Sequence, residues 1–164
     1  MSNQSQQKNM QAIYNLISQD LGYIYGERES GPNGAKKQFL TKSAAFLRAL
    51  GKDLGFQEMK VTTNPSGIAV SGDVTLIGLW HEGNGLYFQI SQPLLRPSAF
   101  LYRHITHMKD YSSGQNQWLL CALFEMGEYE KLINILSDLL SKANSAIKEK
   151  PSRQVGEKLK NKIA

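Results

Sequence analysis

The sequence predicts an α+β fold: an N-terminal helical hairpin, an antiparallel meander of three or four strands, and a C-terminal helical pair packed on one face of the sheet. Three observations carry this. Apolar residues recur at three- and four-residue steps through Leu54, alternate with a period of two between Phe56 and Met108, and return to helical spacing from Gln117. A length of 164 residues suits one core. The expected organisation is therefore a disordered start over 1–9, a single domain over 10–150, and a basic tail over 151–164 that is flexible or weakly amphipathic.

Met10, Ile13, Tyr14, Ile17 and Leu21 mark the first helix, and Gly26, Gly31, Pro32 and Gly34 punctuate the loop that follows. Phe39, Ala44, Phe46, Leu47, Leu50 and Leu54 form the apolar stripe of a second helix over 38–54, with Lys42, Arg48 and Lys52 turned away from it. The β-branched and aromatic runs 56–63 and 68–80, joined by Asn64-Pro65-Ser66-Gly67, predict paired strands, the second of them central because both its faces are apolar. Glu82-Gly83-Asn84-Gly85 signals a hairpin into a third strand, where Leu86, Phe88 and Ile90 alternate with Tyr87, Gln89 and Ser91. Residues 100–108 alternate as a fourth strand; a helix capped by Ser98 competes, but Tyr, Ile and Thr favour the strand. Two helices then follow over 117–126 and 129–146, separated near Gly127.

The formal charge of +5 is not spread evenly. From Lys142 onward there are seven basic residues against two acidic ones, so the whole excess lies at the C-terminal end and residues 1–141 are neutral overall. Global charge therefore says little about a basic body, although Lys158, Lys160 and Lys162 would give the tail nonspecific affinity for nucleic acid. The single cysteine, Cys121, excludes an intrachain disulfide and fits a reducing compartment. No apolar run reaches the roughly 18 residues of a membrane span, and no leader is evident, so a soluble cytoplasmic protein without membrane contact is expected.

The densest run of chemically capable side chains is 100–118, FLYRHITHMKDYSSGQNQW. His104 and His107 meet on a helix but point to opposite faces of a strand, so the strand assignment leaves no metal site, and no cofactor motif is present. Ser112 to Gln117 reads as a loop capping the next helix, with Asn116 at its start; the same helix start would otherwise receive an anion. Gly31 to Lys37 lacks the Gly-Lys-Ser/Thr ending of a phosphate loop, which excludes nucleotide hydrolysis of that kind.

Tyr87 lies on the polar side of its strand, and a neighbouring strand rich in Tyr and Arg predicts aromatics for stacking beside cations for phosphates, with the shared face depending on register. The reading that follows is a small non-catalytic module contacting nucleic acid, or a nucleic-acid-associated protein, through 102–116. In it Arg103 and Lys109 hold anionic groups, Tyr102 and Tyr111 stack, and Gln115 and Asn116 supply directional hydrogen bonds. The enzymatic alternative makes His107 an acid/base oriented by Asp110 and acting on an anionic substrate without a metal. A third alternative is a protein-interaction or regulatory role with no nucleic-acid contact, using Trp80, Tyr102 or Trp118 if they are not core residues.

Overall fold

Helical periodicity in the first third of the chain produces two helices that bury their apolar stripes against each other. The computed structural model describes residues 3–18, 35–64, 72–91, 99–110 and 113–144. Helix α1 runs from Asn3 to Ser18 and α2 from Ala35 to Asp53. Helix α1 starts seven residues before Met10, correcting the expectation of a disordered start over 1–9. Polar side chains anchor that first turn: Gln6 is fully buried and its Nε2 donates to the Phe46 carbonyl on α2 at 3.3 Å, while Asn3 donates to Glu130 at 2.8 Å. Apolar spacing cannot register such contacts.

The five strands are β1 (Glu58–Asn64), β2 (Asp73–His81), β3 (Asn84–Ser91), β4 (Phe100–Ile105) and β5 (Gln117–Trp118), arranged in sequence order in one antiparallel sheet. The meander follows from turn chemistry, since Glu82 and Gly83, with Gly83 at φ +77°, close the β2–β3 hairpin. Strand β4 is extended as predicted and ends at Ile105 rather than Met108. Gln117 and Trp118, expected to begin a helix, instead pair with Tyr102 and Leu101 and add the fifth strand. The helix α3 therefore begins later and is short, Cys121–Glu125, and α4 follows over residues 129–144.

The cap expected at Asn116 is replaced by Leu120, which makes no side-chain cap hydrogen bond. Gly127, at φ +63°, reverses the chain between α3 and α4, and a Cβ there would crowd the Gln7 carbonyl of α1. The anticipated segments 19–34 and 145–164 lie outside the described residues, as do Ile68 to Ser71 of the second predicted strand.

All four helices cover one face of the sheet, giving the α+β architecture. Val74 and Leu76 of β2, Leu86, Phe88 and Ile90 of β3, and Phe100 and Tyr102 of β4 form one cluster with Met10, Phe39, Phe46, Leu50, Phe124 and Leu136 of the helices. Burying such side chains supplies about 1.5–3 kcal/mol each before the entropic cost of ordering them. Polar clamps fix the helices to one another: Tyr129 Oη on α4 donates to Asp53 Oδ2 on α2 at 2.5 Å. Burial, reinforced by that carboxylate, pushes the Tyr129 hydroxyl well above the usual tyrosine range, so it stays protonated and donating. No helix among the described residues is long and apolar enough to cross a membrane.

Candidate functional site

Cross-strand register decides which side chains share a face, because directly opposed residues point the same way. Phe88 opposes Tyr102 and Leu86 opposes His104, so Tyr102 and His104 look toward the helical layer. Tyr87 opposes Arg103, and Leu101 opposes both Gln89 and Trp118, so these five residues share the opposite face. Of the two residues that register left open, Arg103 belongs with Tyr87 and Tyr102 does not.

Most of the chemically dense segment is engaged within the fold. Tyr102 Oη donates to Gln117 Oε1 at 2.9 Å, and burial raises its hydroxyl above the usual tyrosine value. The Arg103 guanidinium lies 4.7 Å from the centroid of the Tyr87 ring and donates through Nη2 to the Asp110 carbonyl at 3.2 Å. The Asp110 carboxylate, 2% exposed, is a staple for the 106–113 turn: Oδ2 accepts from the Thr106 amide and hydroxyl, both at 2.9 Å, and Oδ1 accepts from the Ser113 amide at 2.8 Å. Gly114 follows at φ +75°, where a Cβ would collide with the His104 carbonyl, so the loop returns flush against β4.

His107 reaches this staple only through Thr106, whose Oγ1 lies 3.3 Å from its Nδ1. Its ring is 66% exposed and its Nδ1 is 3.9 Å from Asp110 Oδ2, a charge-range contact rather than a hydrogen bond of about 2.6–3.2 Å. Lys109, Gln115 and Asn116 are exposed, whereas Tyr111 and the tail residues Lys158, Lys160 and Lys162 lie outside the described residues. Among the described residues no group of three or more His, Cys, Asp or Glu could hold a metal ion.

Asn84, bonded in turn to His104, links the sheet to α4. Asn84 Nδ2 donates to the Leu140 carbonyl at 2.9 Å, which leaves Asn84 Oδ1 as acceptor and places a hydrogen on His104 Nε2, 3.0 Å away. Burial lowers the His104 pKa below 6.5, with Asp110 partly opposing the shift. On acidification the unfolded chain takes up this proton first, so stability is lost as pH falls through about 6.5. Thermal melts at pH 7.5 and 5.5 check this: the difference in Tm is expected to shrink in His104→Gln, which retains a donor in place of Nε2. An undiminished difference would place the acid sensitivity on other groups.

The face away from the helices carries two rows running across the strands. Lys60, Ile77, Tyr87 and Arg103 are successive partners from β1 to β4, and Thr62, Thr75, Gln89, Leu101 and Trp118 are successive partners from β1 to β5. Ile77, Leu79, Tyr87 and Leu101 have no part in the core cluster, whereas Met59, Val61 and Trp80 on the helical side pack against it. Tyr87 Oη donates to Gln89 Oε1 at 2.8 Å, tying the rows together. Trp118 is 54% exposed at the edge.

Lys60 was not among the residues chosen from sequence, and Trp118 was named there only for contact with a protein partner. Trp118 was assigned to a helix, although the polar run from Ser112 to Gln117 before it offered no apolar helical stripe. Lys60 required the β1–β2 register. No protein-family model matches the chain, and no curated protein or solved structure is significantly similar to it.

Proposed function

We propose that this protein is a non-catalytic binding module that holds single-stranded nucleic acid across the sheet face opposite its helices. The observation that carries the reading is the row Lys60, Ile77, Tyr87, Arg103 with Trp118 beside it, an aromatic and aliphatic platform with exposed Lys60 at one end and Arg103, only 9% exposed, beneath the Tyr87 ring at the other. Strands are spaced about 4.8 Å apart, so Lys60 and Arg103, three strands apart, bracket a platform of about 14 Å, on the scale of two or three nucleotides. Every base offers a π-face, so such a platform binds without strong sequence preference, and exposed lysines at its margins meet the phosphates. Arg103 holds the Tyr87 ring in place and adds fixed positive charge, while Lys60 and Lys109 are free to follow the backbone.

A second reading, capture of a protein partner, is favoured by one observation: Trp118, Leu120 and Met126 are all exposed large apolar side chains. Titration with short single-stranded DNA and RNA separates the two. Trp118 is exposed whereas Trp80 packs on His81 and against the core, so a quench of exposed tryptophan fluorescence is expected on binding. Trp118→Ala should weaken affinity about tenfold, within the roughly 1–3 kcal/mol that one stacked base contributes. Wild-type affinity retained in Trp118→Ala and in Tyr87→Ala would sink the sheet-face reading and turn attention to the apolar edge.

A further inference from the structure

Helix α2 is the most cationic element of the fold, with Lys36, Lys37, Lys42, Arg48 and Lys52 against the single acid Asp53. Its apolar residues face inward, Phe39, Phe46, Leu47 and Leu50 being completely buried. Lys37, Lys42, Arg48 and Lys52 are exposed, and none of them is in an ion pair among the described residues. At about 100° and 1.5 Å per residue, Lys37, Arg48 and Lys52 fall within an arc of about 60° and span about 22 Å along the axis. Asp53, at the far end, accepts the Tyr129 hydroxyl. The cations of α4 differ, since Lys131 and Lys142 sit beside Glu128 and Asp138 at 3.8 and 3.1 Å.

The geometry points to a second binding surface: the outward face of α2 binds the phosphate backbone of double-stranded nucleic acid without reading its sequence. Charge complementarity identifies the occupant as a polyanion. An acidic membrane surface is disfavoured because a helix lying in a bilayer interface inserts apolar side chains, and those of α2 are spent in the core. A single strand is disfavoured because its binding sites stack bases on aromatics, and α2 exposes none. What remains is a straight, rigid row of cations about 22 Å long, suited to the regular phosphates of a duplex. The surface stands on the helical layer, on the other side of the sheet from Tyr87 and Trp118, so this inference does not rest on the single-strand reading and both surfaces can act at once.

The test uses the full chain and a 20-base-pair duplex of arbitrary sequence, with affinity measured by anisotropy between 50 and 200 mM salt. Variant Lys37→Gln/Arg48→Gln/Lys52→Gln is compared with Lys8→Gln/Lys131→Gln/Lys142→Gln, which removes the same net charge from exposed positions elsewhere. Circular dichroism and Tm confirm that both fold, Gln being a good helix former. The α2 variant should flatten the slope of log K against log salt by about 2.7, three phosphate contacts at about 0.9 each, while the control and Trp118→Ala leave duplex binding near wild type. Equal losses from the α2 variant and the control, or unchanged binding by the α2 variant, would overturn the inference. Loss of single-strand binding in Trp118→Ala with duplex binding intact bears on the sheet face alone.

Discussion

Replacing Phe124 by Ala is expected to lower the unfolding free energy by about 4 kcal/mol, in the range for truncating a fully buried aromatic. The ring has no exposed surface, stacks on Phe100 at 3.8 Å and 10°, and meets the Phe46 ring edge-on at 5.5 Å. It therefore joins α3 to both β4 and α2. Helix α3 has five residues and no side-chain cap, too short to persist without tertiary contacts, so this side chain and Leu123 hold it. Urea unfolding should show the loss as a lower midpoint with little change in slope, and Phe124→Leu, which keeps most of the volume, should lose about 1.5 kcal/mol or less. A loss below about 1 kcal/mol for the alanine variant would be smaller than any fully buried aromatic warrants and would mean that α3 is not docked as described.

Asp110→Ala should remove about 3 kcal/mol, since hydrogen bonds to charged groups are worth about 1.5–3 kcal/mol each and the three made here act together rather than additively. Thr106 would lose the acceptor of its amide and hydroxyl, and Ser113 that of its amide. Asp110→Asn, which keeps one oxygen able to accept from Thr106 but sets an NH2 donor against the Ser113 amide, should lie between the wild type and the alanine variant. The damage is expected to be local first: amide exchange at Thr106 and Ser113 should accelerate more than at Phe88 in the centre of the sheet. Equal acceleration at all three would show that the carboxylate supports the whole fold rather than the turn. Because Arg103 also donates to the Asp110 carbonyl, loosening this turn frees the guanidinium that holds Tyr87 and should weaken the proposed single-strand binding without removing any contacting side chain.

The fold class and most elements were legible because period and turn signals agree locally. Leu86, Phe88 and Ile90 announce the covered face of β3, and Tyr87 and Gln89 its other face. Helix α1 was read too short because its first turns are held by Gln6 and Asn3, whose roles depend on the distant Phe46 carbonyl and Glu130. Strand β5 was missed because a two-residue strand has no period of its own and exists only through its pairing with β4. The candidate site was located by composition, but chemical density has two origins that composition cannot separate. In Tyr102, His104 and Asp110 it supplies internal hydrogen bonds, whereas Trp118 and Lys60 become part of an exposed surface through register. The cations of α2 were visible in the sequence, but Lys37 was read as part of the preceding loop and Arg48 and Lys52 only as the helix's solvent side, so their alignment on one face emerged with the helix bounds.

The strand order, in which every strand pairs only with its neighbours in sequence, has a kinetic consequence. Each hairpin closes a modest loop, so the sheet can form by successive local steps with small entropic barriers. The expensive contacts are those between the ends of the chain, such as Asn3 with Glu130 and Asp53 with Tyr129, separated by 127 and 76 residues. Docking of α4 against α1 and α2 is therefore expected to come late, and mutations at Tyr129 should slow folding less than they speed unfolding.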